Sequence, residues 1–378
     1  MGEVKLGIVS TYPPTPCGVG EYCWHLVQEL KNKGNIRIIL YPIEEKRASY
    51  EEEVGCPIKK GDHSSYIRAG REINRSKVDL VIIQHQFLLF GEEGRYTGEF
   101  LKEMDRPIMA IIHTVPGNPS PVEREALISL REKANFSVVM IEEAKKILGE
   151  TYGFPQEKIE VIHHPFPSLP RISSLKARKI LGLPEESFII ATFGLIRKEK
   201  GIEDVLEALS YLKKENILYL VLGETHPNHH RKEGDEYLDS LKKKARELGV
   251  EDKVRWVNHY LSEEELGKYL SATDVYLTPY HAKEQVSSGS LAYALGMGKV
   301  VISTPFPFAR EMLGGDRGIL VNFHSPGEIA LRLRDLMYNK ERKESLQRKV
   351  EALSQEISWQ KAGEKFFQLI RRITGCWA

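Results

Sequence analysis

The sequence predicts an α/β protein made of two doubly wound domains in series. Short, continuously apolar segments alternate with longer segments of helical character along the chain. This alternation is typical of βαβ units in a parallel sheet that is covered on both faces. It is interrupted at residues 164–173 (HPFPSLPRIS), where three prolines within ten residues indicate a linker. The length of 378 residues also suits two domains of roughly 100–200 residues each.

The first half begins with an apolar strand and a helix separated by a loop rich in proline and glycine. The helix is predicted over residues 20–33. The predicted strands of this half are residues 4–10, 36–41, 78–84, 108–113, 137–141 and 159–163. Helical stretches lie between the later strands, so these segments form successive βαβ units.

After the linker the same alternation starts again. The predicted strands of the second half are residues 188–193, 218–222, 254–257, 274–279 and 300–304. The predicted helices are residues 202–214, 236–247, 263–271 and 325–339, one that opens near residue 288, and an amphipathic helix over 359–373. Because ligands of open α/β sheets bind beyond the carboxyl ends of the strands, two such domains predict a cleft between them.

The composition excludes several classes of protein. The 54 Lys and Arg residues balance 53 Asp and Glu residues, which gives no support to nucleic-acid binding. The four cysteines have no CxxC spacing, so neither a disulfide framework nor a zinc site is indicated. No apolar run approaches the roughly 20 residues of a membrane-spanning helix. The N-terminal segment also lacks the apolar core of a secretory signal, and a cytoplasmic protein is expected.

The loop at residues 13–21 (PPTPCGVGE) joins the first strand to the first helix. Gly18 and Gly20 allow close approach of the backbone to a ligand, and the free N–H groups of the helix N-terminus favour an anion. The loop has neither a complete GxGxxG nor a GxxxxGK[ST] pattern, so no dinucleotide or P-loop site is predicted. An ordinary strand-to-helix turn is the alternative.

The segment at residues 194–201 (GLIRKEKG) follows the first strand of the second half. Gly194 and Gly201 bracket basic side chains that include Arg197 and Lys200. A guanidinium and an ammonium beside a helix N-terminus suit a diphosphate. A solvated basic turn is the alternative, but a turn at the carboxyl end of a strand faces the ligand side of the sheet, which favours binding.

The segment at residues 284–294 (EQVSSGSLAYA) follows another strand and opens a helix near Ser288. Ser287, Ser288 and Gly289 form a helix start that suits an anion or a sugar. A serine there also caps a helix, and the two roles are compatible.

Histidines lie at the ends of three predicted strands, at His85, His113 and His226. They have no HExxH-like spacing, and the chain contains no DxD triplet, so no metal site is predicted. A bound diphosphate would then be neutralised by Arg197, Lys200 and the glycine loops.

The motifs resemble glycosyltransferase family 4, which has the GT-B fold. The matching segments are PPTPCGVGEY, IQHQFLLFG, IIHTV, FGLIRKEKGIEDVLEAL, LVLGETHP and SSGSLAYALGMGKVVISTPFPFAREML. The last is similar to a branch with a QxxSGTLAYAxGxGK signature. The resemblance implies two facing Rossmann-like domains with a cleft between them: residues 1–166 on the acceptor side and residues 167–357 binding the nucleotide-sugar. It also implies that residues 358–378 cross back onto the first domain.

The resemblance also assigns roles around the donor. The two glutamates usual in the family fall at Gln285 and Tyr293, and Glu284 is one residue out of register. Gln285 is favoured for the contact with the donor sugar, with Glu284 as the alternative, and Tyr293 is expected near the ribose. Leu195 stands where the family often has an arginine, so Arg197 with Lys200 is expected to act on the diphosphate.

Further roles are implied for four segments of the chain. His113 is expected beside the transferred sugar, near its 6-hydroxyl group, and residues 18–20 are expected to line the acceptor and phosphate side. Glu311 is expected to steady the loop near the diphosphate. His226 belongs to the THP segment of this branch and is included among the donor-binding residues without a specific role.

The predicted function is that of a retaining, metal-independent glycosyltransferase without a cofactor. The donor is a GDP- or UDP-linked hexose such as mannose or glucose, and the acceptor is a carbohydrate or a lipid-linked sugar. The alternatives are a disaccharide synthase or phosphorylase, a nucleotide-sugar 2-epimerase, and a non-catalytic nucleotide-sugar binder. Peripheral contact with a membrane and the oligomeric state are left open.

Overall fold

The computed structural model describes residues 3–225 and 231–375, with the backbone alone for residues 231–235. The chain divides into two compact units. Unit 1 consists of Met1–Pro165 and Trp359–Ala378, and unit 2 consists of Phe166–Ser358.

Unit 1 is built on a parallel sheet with the strand order β3-β2-β1-β5-β6-β7-β8, and β4 pairs with β2. Its strands are β1 (Val4–Ser10), β2 (Ile36–Glu44), β3 (Glu53–Val54), β4 (Ile58–Lys59), β5 (Leu80–His85), β6 (Ile108–Ile112), β7 (Phe136–Val139) and β8 (Ile159–Val161). Its helices are α1 (Gly18–Lys31), α2 (His63–Arg75), α3 (Thr97–Lys102), α4 (Pro121–Lys133), α5 (Glu142–Tyr152) and α14 (Trp359–Thr374).

Unit 2 is built on a second parallel sheet, with the order β11-β10-β9-β12-β13-β14. Its strands are β9 (Phe188–Phe193), β10 (Ile217–Leu222), β11 (Val254–Val257), β12 (Val275–Thr278), β13 (Val300–Ser303) and β14 (Ile319–Leu320). Its helices are α6 (Ser174–Leu181), α7 (Ile202–Ser210), α8 (Arg231–Glu247), α9 (Glu263–Ala272), α10 (Gly289–Gly296), α11 (Pro307–Leu313), α12 (Pro326–Tyr338) and α13 (Lys340–Glu356).

The central strands form because they are apolar on both faces. All residues of β5, β6, β10, β12 and β13 are buried, as expected of parallel strands covered by helices on both sides. The core of unit 1 includes side chains from α14, with Phe366 and Ile370 fully buried against residues of β1 and α1. The predicted alternation of strands and helices in two doubly wound halves is therefore confirmed.

Each sheet has a switch point, where the connections that leave two neighbouring strands run in opposite directions along the sheet. In unit 1 the first strand, β1, lies between β2 and β5, and in unit 2 the first strand, β9, lies between β10 and β12. The loops after these strands diverge and leave a crevice at the carboxyl edge, which is the usual ligand position of such sheets. Among the described residues, no helix is long and apolar enough to span a bilayer.

Candidate functional site

In unit 2, Lys200 lies at the switch point of the sheet. It precedes α7 in the segment that follows β9, and its Nζ donates to Tyr280 Oη over 2.8 Å and lies 3.4 Å from Ser290 Oγ. Tyr280 follows β12, the strand on the other side of β9, so this contact spans the crevice. The ammonium also lies 4.3 Å from the centroid of the Tyr280 ring.

The charge of Lys200 changes the acidity of its partner. Burial alone raises the pKa of Tyr280, but the Lys200 ammonium and hydrogen bonds from Lys200, Ser290 and Ser288 bring it below its ordinary value. The hydroxyl groups of Tyr280 and Ser290 are also hydrogen-bonded to each other. Lys200 is therefore a positioned cation in a polar network rather than a solvated side chain.

Glycines allow the loops around Lys200 to approach one another. Gly194 and Gly223 follow the neighbouring strands β9 and β10 with φ angles of 119° and 121°. A Cβ atom on Gly223 would collide with the Gly194 carbonyl group, and one on Gly194 would lie 3.1 Å from Lys200 Nζ. A Cβ atom on Gly201 would collide with the Pro279 carbonyl group. Both loops therefore depend on glycine for their conformation.

The N-terminus of α10 contributes to the same crevice. Ser288 caps this helix, accepting from Leu291 N over 3.3 Å, and Ser290 in its first turn contacts Lys200. The backbone N–H groups of a helix start carry partial positive charge, which adds to that of the ammonium. Ser287 and Gly289 flank the cap, and Gly289 is exposed.

Three further predicted residues lie in the same loops without joining this network. Arg197 is exposed and lies 3.7 Å from Glu199 Oε2, measured from its Nε atom. Gln285 is half-buried, and its Nε2 donates to Ser287 O over 2.7 Å, while its neighbour Glu284 is exposed. The Gln285 side chain therefore braces the loop that leads to the Ser288 cap.

Tyr293 and Glu311 occupy different surroundings in unit 2. Tyr293 is buried in α10, donates to Glu263 Oε1 over 2.8 Å, and makes an edge contact with the Phe193 ring at the end of β9. Glu311 is half-buried in α11, and its carbonyl oxygen accepts from Arg317 Nη2 over 2.8 Å. The predicted residue His226 lies outside the described residues.

In unit 1, His113 lies directly after β6. Its Nε2 is 2.7 Å from Gln84 Oε1, so this nitrogen carries the proton and donates to the amide oxygen. Its backbone N–H donates to His85 O over 2.9 Å. Burial, with smaller contributions from His164 and His85, lowers the pKa of His113 to about 3. The imidazole is therefore neutral at physiological pH.

An aromatic cluster surrounds His113. The ring of Tyr22, from α1, contacts those of His113, His164 and Trp359 at centroid distances of 5.1, 5.2 and 4.9 Å. Burial also lowers the pKa of His164 to about 4 and that of His85 to about 3. These rings fix the orientation of His113 at the carboxyl edge of the sheet.

The two glycines of the first loop differ in their surroundings. A Cβ atom on Gly20 would lie 3.2 Å from the backbone of Thr11 and of Tyr12, so the first turn of α1 packs closely on the chain leaving β1. A Cβ atom on Gly18 would have no atom within 4 Å, which leaves the start of α1 open to a ligand.

The structure thus groups part of the predicted set. It places Gly194, Lys200 and Ser288 around one crevice of unit 2, and it places Gly18, Gly20 and His113 in unit 1. Several participants were not predicted from sequence: Tyr280, Ser290, Gly223, Gln84 and Tyr22. Gly223 had a detectable signal, because the segment LVLG ends β10 in the same way that ATFG ends β9.

Comparisons with known proteins agree with this architecture. Among solved structures, sucrose-phosphate synthase from Thermosynechococcus elongatus superposes with a TM-score of 0.83 at 15% identity, covering 99% of this chain and 100% of the other. Anabaena HepE, solved in complex with UDP and glucose, gives a TM-score of 0.79 at 14% identity, covering 98% and 100%. At such identities these likenesses establish the fold, and they confirm the predicted GT-B class.

The sequence comparisons define the family. Residues 173–352 match the model of glycosyl transferases group 1. The D-inositol 3-phosphate glycosyltransferase of Thermomonospora curvata is 26% identical over 219 residues, which are 53% of this chain and about half, 49%, of that relative. The enzyme of the same name from Corynebacterium aurimucosum is 24% identical over 311 residues, or 75% of this chain and 69% of the relative.

The segment of residues 173–352, just under half of the chain, belongs to the glycosyl transferase group 1 family, whose members are glycosyltransferases. This confirms the family predicted from the motifs. The narrower branch with a QxxSGTLAYAxGxGK signature stays a prediction.

Proposed function

We propose that the chain is a retaining glycosyltransferase that moves a hexose from a nucleotide diphosphate sugar to a carbohydrate or lipid-linked acceptor without a metal ion. The observation that carries this proposal is the position of Lys200 at the switch point of the unit 2 sheet, between Tyr280, Ser290 and Gly194. A held ammonium beside the start of α10 supplies the charge that a diphosphate leaving group needs.

The roles proposed for unit 2 combine this arrangement with those that the family resemblance implies. Lys200 and the N–H groups of α10 stabilise the charge that grows on the departing diphosphate, and Arg197 is exposed and therefore available to pair with it. Gln285 contacts the donor sugar, with Glu284 as the alternative. Tyr293 supports the ribose, and Glu311 supports the loop near the diphosphate.

In unit 1, His113 binds the transferred sugar as a neutral imidazole. Its low pKa excludes an imidazolium at physiological pH, so the ring acts as a fixed hydrogen-bonding group and not as a general acid. Gly18 and Gly20 leave space at the start of α1 for the acceptor and the phosphates.

The transfer itself is a front-face substitution. The bond between the anomeric carbon and the diphosphate oxygen breaks, the acceptor oxygen bonds to the same face of that carbon, and the acceptor proton passes to the diphosphate. The substituents therefore keep their configuration. A product with inverted linkage, detected by the anomeric coupling constant in NMR, would contradict this step.

The proposal is tested by nucleotide release from a panel of donors. Purified protein is incubated in EDTA with GDP-mannose, UDP-glucose, UDP-N-acetylglucosamine and ADP-glucose, with and without sugar acceptors. Because relatives are named as D-inositol 3-phosphate glycosyltransferases and a structural neighbour binds UDP and glucose, inositol 3-phosphate and UDP-glucose belong in the panel. We expect acceptor-stimulated release from one donor.

Two variants and a matched control connect that activity to the crevice. Lys200→Ala and Arg197→Ala should reduce release by roughly 100-fold or more, the usual effect of removing a group that stabilises transition-state charge. Lys198→Ala removes the same charge from an exposed position two residues away and should retain most activity. Donor binding without release under any acceptor would favour the non-catalytic binder. Formation of a sugar 1-phosphate from a disaccharide and inorganic phosphate, without a nucleotide-sugar, would favour the phosphorylase.

A further inference from the structure

Three side chains with metal-ligating atoms converge at the carboxyl edge of the unit 2 sheet, beside the Lys200 crevice. Asp204 lies in the first turn of α7, His281 follows β12, and His324 follows β14. One ligating atom from each lies within 4.8 Å of those from the other two. We propose that Asp204, His281 and His324 form a binding site for a divalent transition-metal ion such as Zn²⁺.

The distances between the three side chains suit a small tetrahedral ion. Asp204 Oδ2 lies 2.9 Å from His281 Nε2 and 4.0 Å from His324 Nδ1. Ligands at about 2.0–2.2 Å from a tetrahedral zinc ion are separated by about 3.3–3.6 Å, which falls between these two values. The imidazole rings lie with their centroids 4.0 Å apart, tilted by 44°. Both measured distances end on the same carboxylate oxygen, Asp204 Oδ2.

The backbone at His324 supplies an independent observation. Its φ angle is 54°, in the left-handed region that non-glycine residues rarely adopt. Holding a histidine there costs of order 1 kcal/mol or more, and such conformations cluster at functional sites. This conformation accompanies a ring placed against Asp204 and His281, although the side chain of His324 is 59% exposed.

The burial of Asp204 and His281 and the types of ligand atom indicate which ion fits the site. The Asp204 side chain is 11% exposed and that of His281 is 20% exposed, and their close contact leaves a carboxylate partly removed from water. A dication bound by two imidazoles and this carboxylate neutralises it, and the exposed side of His324 leaves a position for water. Imidazole with carboxylate suits Zn²⁺, Co²⁺ or Ni²⁺ better than Mg²⁺ or Ca²⁺, which prefer oxygen ligands alone.

The site goes beyond the proposed transfer reaction, which uses no metal ion. Its consequence is structural, because His281 adjoins Tyr280 and its backbone N–H donates to Glu199 O over 2.9 Å. An ion bound by Asp204 and His281 would therefore connect the segment that carries Lys200 with the segment that carries Tyr280. Through His324 the same ion would also hold the loop after β14.

The test is metal binding to the full chain after removal of bound ions with EDTA. His229 and His230 follow His226 closely in the sequence and are potential ligands themselves, so both are replaced by alanine in every protein compared. Co²⁺ binding is measured by visible absorption and Zn²⁺ binding by calorimetry. Both titrations should show one bound ion per chain in the parent protein and none in His324→Gly or Asp204→Asn.

His324→Gly separates ligand loss from misfolding. Glycine adopts a φ angle of 54° without strain, so the metal-free variant should melt at the same temperature as its parent or higher. Zn²⁺ should raise the melting temperature of the parent and leave that of the variant unchanged. His259→Ala is the control, because His259 is an exposed histidine paired with a single carboxylate, that of Glu265, and this variant should keep the ion.

Two results would overturn the proposal: no metal uptake by the parent protein, or equal uptake by the parent and His324→Gly. Both are independent of the transferase assay, which is run in EDTA. The metal site and the proposed function can therefore fail separately.

Discussion

At the scale of single residues, Gly223 is a position where the chain tolerates little change. Its φ angle of 121° lies outside the range of other residues, and a Cβ atom would collide with the carbonyl group of Gly194. Gly223→Ala should therefore lower the free energy of unfolding by about 1–3 kcal/mol, the usual cost of such backbone strain. The loop movement needed to avoid the collision should lower it further. Urea unfolding measures the loss.

The same substitution should also weaken donor binding, because relief of the collision displaces the loop from Gly194 to Lys200. Gly327→Ala is the matched control: no atom lies within 4 Å of the added Cβ, and the residue is in the first turn of α12. It should leave both stability and donor binding unchanged or slightly improved. Equal losses of stability and donor affinity in the two variants would contradict a specific role for the contact between the loops after β9 and β10.

At the scale of elements, the carboxyl edge of the unit 1 sheet carries buried neutral histidines. Burial lowers the pKa of His85 and His113 to about 3 and that of His164 to about 4, from an ordinary value of 6.5. The unfolded chain takes up these protons as the pH falls below 6.5, whereas the folded chain does not. Stability is therefore complete above pH 6.5 and is lost toward pH 4, by up to about 1.4 kcal/mol per pH unit for each histidine.

The corresponding experiment compares urea-unfolding midpoints between pH 7 and pH 5. His113→Gln removes one of the three groups, so its midpoint should fall less steeply than that of the wild type. Gln347→Ala, which removes an exposed side chain that has no titratable group, should leave the slope unchanged. A slope that is identical in all three proteins would contradict the assignment of His113 as a buried neutral imidazole.

Elements also show how far the sequence predicts this molecule. The apolar runs give β1 and β9 with their observed ends, because strands covered on both faces require a continuous apolar pattern. The observed ends of β11 also match the prediction, although Val257 is its only buried residue. The helix predicted over residues 202–214 ends at Ser210 instead, and α13 was not predicted, since Leu346, Val350 and Leu353 are its only buried residues. Strands of two residues, such as β14, are too short for any periodicity.

The sequence predicted those residues of the unit 2 crevice that lie in loops after strands. Lys200 and Ser288 belong to loops directly after strands, and their residue types indicate anion binding without knowledge of the fold. The contacts of Lys200 with Tyr280 and Ser290 join segments that are distant in sequence, so only the strand order brings them together. The same is true of Asp204, which lies in α7, and of His281 and His324, which lie in the separate loops after β12 and β14.

At the scale of the whole molecule, the last helix returns to complete the first unit. The chain leaves unit 1 after Pro165, builds unit 2, and re-enters unit 1 at Trp359. In α14 the buried face is formed by Trp359, Ala362, Gly363, Phe366, Leu369 and Ile370. These residues pack against α1 and share one hydrophobic core with residues of β1, so the core of unit 1 is complete only when α14 is present.

This dependence predicts an effect of α14 variants that is confined to one unit. Phe366 is fully buried, so Phe366→Ala should lower the free energy of unfolding of unit 1 by about 3–5 kcal/mol through lost contacts and a cavity. Hydrogen exchange followed by mass spectrometry should show faster exchange in β1 and α1, while β9 and β10 of unit 2 keep their protection. Lys365→Ala, at the adjacent exposed position, should leave exchange unchanged in both units. Equal loss of protection in β9 and β10 would mean that the two units unfold together, and that α14 supports the whole chain rather than unit 1 alone.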